Sequence, residues 1–317
     1  MTFSAEITRR NACAGLGVAA MFGMPGCVAT EHGAEQAGRL ERAPGSNPQG
    51  SARGEPSPQV WQTLPPTPVL PAPICSGLAS VNGVRLYYAQ YGKGPDIVML
   101  HGGLANSQYW ALQVAALSVR FKVTVLDTRG HGRSPMTSPA FRYDLFASDT
   151  IGVLNFLGIN KTALIGWSDG AITGLKLVHA NPERVARLFA FGSNISNSGT
   201  IPGGSRKPTF VAFEARCKSE YQTLSATPEK WPQLLAGLRS MWRTMPDIPL
   251  RELSMITVPV TVSDGEHDEI IKRDHTALIA RSIPAGRLVI QPGVSHFAMI
   301  QNAAQFSKGL EDFLNIA

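Results

Sequence analysis

From residue 78 onward the chain alternates short apolar runs with helical patterns, and few folds absorb that rhythm. Candidate strands lie at 97–100, 123–126, 163–165, 188–191, 258–262 and 287–290. Helical patterns near 110–117, 144–157, 171–180, 274–281 and 304–313 separate most of them. Such alternation predicts an α/β fold, a mostly parallel, doubly wound sheet with helices on both faces. Asn82-Gly83, between the apolar stretches 79–81 and 84–88, predicts a β-hairpin at the start of the domain.

One interval breaks the alternation. Residues 195–253 hold no strand pattern, but Thr227-Pro-Glu-Lys-Trp231 looks like a helix start, with Thr227 as N-cap and proline at the first position. Trp231, Leu234, Leu235, Leu238, Met241, Trp242 and Met245 then follow 3 and 4 spacing, which places them on one apolar helix face. A small helical cap inserted between late strands is expected, its underside packing on the sheet or lining a pocket.

The first 75 residues have a different character. Thr8-Arg9-Arg10-Asn11 precedes an apolar run from 12 to 24 that is too short to span a bilayer. An arginine pair before a short apolar segment resembles a twin-arginine export signal, and Met24-Pro25-Gly26-Cys27 resembles a lipobox with Cys27 as the acylated residue. Residues 1–27 are therefore expected to be an export signal, and membrane contact is expected only through a lipid on Cys27. Residues 28–75 are expected to be a disordered linker, because nine prolines fall between 44 and 73 with no apolar periodicity. The folded domain is expected over 76–317, with the cap at about 195–253. After the signal, Cys27, Cys75 and Cys217 remain, and acylation of Cys27 would leave Cys75 and Cys217 as an even pair that an oxidising compartment could join. The net charge of +6 falls entirely on the later domain. Its basic residues are scattered and accompany no nucleic-acid motif, which argues against nucleic-acid partners. No zinc-ligand spacing occurs, and no metal or cofactor is expected.

The chemistry centres on Gly166-Trp-Ser-Asp-Gly170, which follows a strand pattern and opens a helical one. A serine on so tight a turn presents its hydroxyl to solvent, and glycines two positions either side allow the turn. Ser168 needs a base and a group to orient that base. Of the seven histidines, His296 lies just beyond the last strand, and Asp268 lies just beyond the strand before it. His131 and His267 are weaker candidates for the base, as are Asp264 and Glu266 for the acid. Ser168, Asp268 and His296 fall in the order Ser, Asp, His, each after a different strand at the carboxyl edge of the sheet. His101-Gly-Gly103-Leu104 follows the strand 97–100, so the backbone N–H groups of Gly103 and Asp169 are the expected oxyanion donors, with His101 holding the loop. Leu104, Trp167, Trp231 and Trp242 are the candidates for contact with substrate.

These motifs resemble those of the α/β-hydrolases: His101-Gly-Gly103 the oxyanion loop, Gly166-Trp-Ser-Asp-Gly170 the nucleophile elbow, and Asp127-Thr-Arg-Gly-His-Gly-Arg-Ser134 a structural turn. The resemblance implies a serine hydrolase acting on small-molecule esters through an acyl-enzyme, without cofactor. It leaves amidase, lactonase and perhydrolase chemistry on the same residues as alternatives, and a non-catalytic receptor as the reading from another class. The pentapeptide also appears in amino-acid ester hydrolases, where the acidic residue meets a substrate ammonium. For Asp169 the competing expectation is that its carboxylate caps the following helix.

Overall fold

The computed structural model describes residues 58–137 and 140–315, so the expected export signal, Cys27 and residues 28–57 of the expected linker lie outside the described residues. Eight strands run in chain order: β1 (Cys75–Val81), β2 (Val84–Tyr91), β3 (Asp96–Leu100), β4 (Lys122–Leu126), β5 (Thr162–Trp167), β6 (Val185–Phe191), β7 (Val260–Gly265) and β8 (Gly286–Gln291). The described helices are α1 (Ala111–Leu117), α2 (Tyr143–Leu157), α3 (Asp169–Ala180), α4 (Pro208–Leu224), α5 (Trp231–Thr244), α6 (Leu250–Ser254), α7 (Arg273–Ser282), α8 (Ala298–Gln301) and α9 (Ala303–Asn315), with short 3-10 turns between some of them.

The strands form one sheet in the order β1-β2-β4-β3-β5-β6-β7-β8, antiparallel at β1, β2 and β4 and parallel from β4 onward. The hairpin expected at Asn82-Gly83 joins β1 to β2, with Val81 opposite Val84. Helices cover both faces, so the central strands are apolar on both sides: Ile97, Val98 and Met99 of β3 are fully buried. Neighbouring residues of β6 divide the layers. Phe189 meets Phe306 of α9, while Leu188 lies so close to Gly174 of α3 that an added Cβ would sit 2.7 Å from its Cδ1.

The insertion between β6 and β7 is helical, as its lack of strand pattern implies. It contains α4 as well as the expected α5. Thr227 precedes a 3-10 turn and its side chain caps nothing; its hydroxyl lies 3.4 Å from that of Ser225, and α5 begins at Trp231.

The compact unit that holds the sheet begins at Pro58, eighteen residues before the expected boundary. Residues 58–74 are a proline-rich segment docked on the domain rather than linker. Leu64 and Leu70 pack against the core, and Ile74 N–H donates to Gln90 O at 2.8 Å, extending the β1 pairing. Composition misled here because the segment's partners come from elsewhere in the chain. Cys217 is a free, buried thiol in α4, which excludes the Cys75–Cys217 disulfide.

Candidate active site

Ser168 stands between β5 and α3 with φ 53° and ψ −119°, a conformation that costs a non-glycine residue roughly 1–3 kcal/mol. Surrounding hydrogen bonds impose it. The Ser168 N–H donates to Phe191 O at 2.8 Å, and its carbonyl accepts from the N–H groups of Ala171 and Ile172 at 2.8 and 3.0 Å. The flanking glycines are required by close approach. A Cβ on Gly166 would lie 2.5 Å from Gly170 O, and one on Gly170 would lie 2.2 Å from Leu100 O.

His296, beyond β8, and Asp268, beyond β7, meet at 2.6 Å between Nδ1 and Oδ2, with both side chains buried. The other oxygen of Asp268 accepts from the N–H groups of Ile270 and Ile271, each at 2.7 Å, so the carboxylate is fixed from both sides. Burial opposes the charged imidazolium, but the carboxylate of Asp268, together with the charges of Glu269 and Asp169, outweighs it and holds the His296 pKa above the ordinary value. Burial likewise opposes the charge on Asp268, yet His296 brings its pKa below the usual carboxylate range. Asp264, one of the alternative acids, is buried at the end of β7, bonds the Thr276 hydroxyl at 2.7 Å, and is pushed well up by desolvation and by the charge of Asp268. Glu266 accepts from Gly293 N–H at 2.9 Å on the surface. Of the carboxylates considered, Asp268 is the one bonded to His296.

Gly192, just after β6, carries no sequence signal yet lies against this pair. A Cβ there would lie 2.7 Å from His296 Cε1, and its φ is +63°.

The oxyanion-loop glycines, Gly102 and Gly103, line the same cavity as Ser168 and His296. His101 is buried beneath them. Its Nε2 accepts from Thr128 N–H at 2.9 Å, which leaves the ring proton on Nδ1 to donate to Gly102 O at 2.7 Å. Burial lowers its pKa, so His101 is a neutral strut holding the loop. Asp127 is structural as expected, accepting from the N–H groups of Ser107 and Arg133 at 2.8 Å each.

Asp169 departs from the capping expectation. It lies in the first turn of α3, where the helix dipole favours its charge, but its carboxylate bonds no backbone N–H of that helix. It accepts instead from the Tyr143 hydroxyl at 2.7 Å and from the Trp242 indole Nε1 at 2.9 Å. Both partners are neutral donors. Burial pushes its pKa up to about 6, against the hydrogen bonds from Tyr143 and Trp242 and the charge of His296. Gly103 makes room for this arrangement, since a Cβ there would fall 2.4 Å from Asp169 Oδ2 and 2.5 Å from Trp242 Cζ2.

These residues surround a cavity of about 560 Å³. Trp167 and Trp242 line it, as do Tyr143, Phe210 and Phe213. Two expected substrate contacts do not line it. Leu104 is buried in the core at φ 66°, and Trp231 packs on Tyr221 at 5.7 Å within the cap. Phe210, Phe213 and Tyr143 were missed. A signal for Phe213 existed in its spacing of four and eight from Cys217 and Tyr221, whereas Tyr143 opens a helix whose pattern starts after it.

Known proteins share this framework. Serine hydrolase BPHL of Homo sapiens is 30% identical over 256 residues, spanning 76% of this chain and 87% of that protein. The pimeloyl-[acyl-carrier protein] methyl ester esterase of Aeromonas hydrophila is 26% identical, over 71% of this chain and 97% of that one. Among solved structures, the enol-lactonase from Burkholderia xenovorans LB400 aligns with a TM-score of 0.59 at 27% identity, covering 76% of this chain and all of that chain. The model of the alpha/beta hydrolase family matches residues 97–308, and the chain belongs to that family.

Proposed function

We propose that this hydrolase cleaves carboxylic esters through a serine acyl-enzyme. The observation that carries the reading is the 2.6 Å bond between His296 Nδ1 and Asp268, at the cavity that Ser168 also lines. That bond keeps the proton on Nδ1 and leaves the Nε2 lone pair to act as base. His296 takes the proton as Ser168 Oγ attacks the ester carbonyl. The N–H groups of Gly103 and Asp169 bind the oxyanion, and His296 returns the proton to the departing alkoxide. Water then attacks the acyl-enzyme by the same path, releasing the acid and restoring Ser168. Relatives named as a serine hydrolase, a methyl ester esterase and an enol-lactonase support an ester or lactone carbonyl as the target.

The test is hydrolysis of 4-nitrophenyl butyrate by the wild type and Ser168→Ala. A loss on the order of 10⁵-fold or more is expected, and comparable rates would overturn the reading. A fluorophosphonate probe should label the wild type at Ser168. Failure to label would favour the receptor alternative.

A second reading rests on Asp169, a carboxylate lining the cavity with two neutral donors as its hydrogen-bond partners. Such a charge suits a substrate ammonium, as in an amino-acid ester. A panel of esters matched in size but differing in charge tests it, and equal kcat/KM for cationic and neutral members would remove the idea. Export and lipidation of Cys27 are proposals too, and incorporation of a fatty-acid label into the wild type but not Cys27→Ser would support them.

A further inference from the structure

We infer that residues 59–67 form a strap that seats the loop carrying His296, with Gln301 as the positioning residue that joins the two. The inference rests on the ester-hydrolase reading for its kinetic consequence, but not for its structural one.

The strap is held mainly through its backbone carbonyls. Within it, Pro65 and Pro66 have no N–H to donate and restrict the backbone before it docks. The domain supplies the donors. Gln301 Nε2 donates to Thr63 O at 2.8 Å and Trp61 O at 3.3 Å. Arg216 of α4 donates to Leu64 O at 2.8 Å and also to Pro65 O.

Gln301 ends α8, the short helix that begins two residues after His296, and its side chain turns back on its own loop. Its Oε1 accepts from Ser295 N–H at 2.8 Å, and Nε2 reaches Ser295 Oγ at 3.0 Å. One amide thus grips the residue before His296 and two strap carbonyls together. Its orientation is fixed by that network, because the reversed amide would face carbonyl oxygens with an oxygen.

The strap also reaches the other segments that build the site. Trp61 stacks on His267, the neighbour of Asp268, with ring centroids 4.5 Å apart and planes inclined by 26°. His267 N–H donates to Val294 O at 2.9 Å, tying the Asp268 loop to the His296 loop. Thr67 donates to Glu220 of α4, whose other oxygen accepts from Asn106 beside the oxyanion loop at 2.9 Å. A segment that merely covered apolar surface would not meet the neighbours of both Asp268 and His296.

The experiment uses the full chain and three variants. Gln301→Glu keeps the acceptor for Ser295 N–H but replaces the donor to Trp61 and Thr63 with an oxygen. Trp61→Ala removes the stack. Val69→Ser, at a residue 82% exposed, is the control. With 4-nitrophenyl butyrate, Gln301→Glu should lower kcat by about tenfold or more with KM within roughly twofold, because small misplacements of a catalytic group fall on the chemical step. Trp61→Ala should change kcat in the same direction, and Val69→Ser should change neither parameter. Hydrogen exchange over residues 293–301 should speed up in Gln301→Glu and Trp61→Ala and not in the control. Unchanged exchange in that loop, a rise in KM alone, or an equal effect of Val69→Ser would overturn the strap. A wild type that neither hydrolyses the ester nor takes the fluorophosphonate would overturn the ester-hydrolase reading instead, and the exchange measurement would still decide the strap.

Discussion

The indole Nε1 of Trp242, in the cap, donates to the carboxylate of Asp169, the residue after Ser168, at 2.9 Å. The cap and the catalytic layer therefore share a buried ionisable group, and its protonation has consequences for both.

Asp169 binds its proton more tightly in the folded chain than in the unfolded one, since its pKa rises from 3.8 to about 6. Stability from this group is greatest below about pH 4 and falls as pH climbs through 4 to 6. The deficit above pH 7 is on the order of 3 kcal/mol. Asp169→Asn should therefore be more stable than the wild type at pH 8 and gain little at pH 4. Thermal melts at the two values would show it, and an equal difference at both would contradict the assignment.

Tyr143→Phe removes a hydrogen bond that favours the charged form of Asp169. The Asp169 pKa should then rise above about 6, moving the pH window of that instability upward. Repeating the melts between pH 4 and 8 on this variant follows the movement. No displacement would mean that the tyrosine does not set the charge state.

In the proposed mechanism His296 must be neutral to accept the serine proton, and Asp268 helps hold its pKa above the ordinary value. The acidic limb of kcat/KM should therefore lie above pH 6.5, with activity lost as pH falls through it. Asp268→Asn should move that limb downward and lower kcat by about 10⁴-fold. A pH–rate profile of both forms gives the answer, and an unmoved limb would separate Asp268 from the base.

Gly192→Ala places a methyl group 2.7 Å from His296 Cε1 at a backbone φ of +63°. Displacement of the imidazole should slow both ester hydrolysis and fluorophosphonate labelling on the order of 100-fold. Strain at that φ should also cost about 1–3 kcal/mol of stability. Labelling at the wild-type rate would show that the imidazole tolerates the methyl group.

What the sequence disclosed and what it withheld follow a physical line. Ser168, Asp268 and His296 each follow an apolar strand, so local pattern and chain order marked them as candidates. Gly192, Tyr143 and Gln301 act through neighbours distant in the chain, and no local spacing encodes that. Trp231 and Trp242 shared one apolar face of α5, eleven residues apart. That separation is about 16 Å along a helix axis, so one packs inside the cap while the other reaches the cavity. The proline-rich segment looked unable to order because composition counts only what a segment brings, whereas residues 59–67 are held by donors on α4 and α8.

The sheet order β3-β5-β6-β7-β8 sets out the candidate site across neighbouring strands: Gly102 and Gly103, Ser168, Gly192, Asp268 and His296. In the proposed mechanism His296, which follows β8, acts on a serine that follows β5, three strand spacings or about 14 Å away. It is the tip of a cantilever rooted at the sheet's edge. Slack at the root of a cantilever is magnified at its tip, so the base is the member whose aim depends most on what holds its loop.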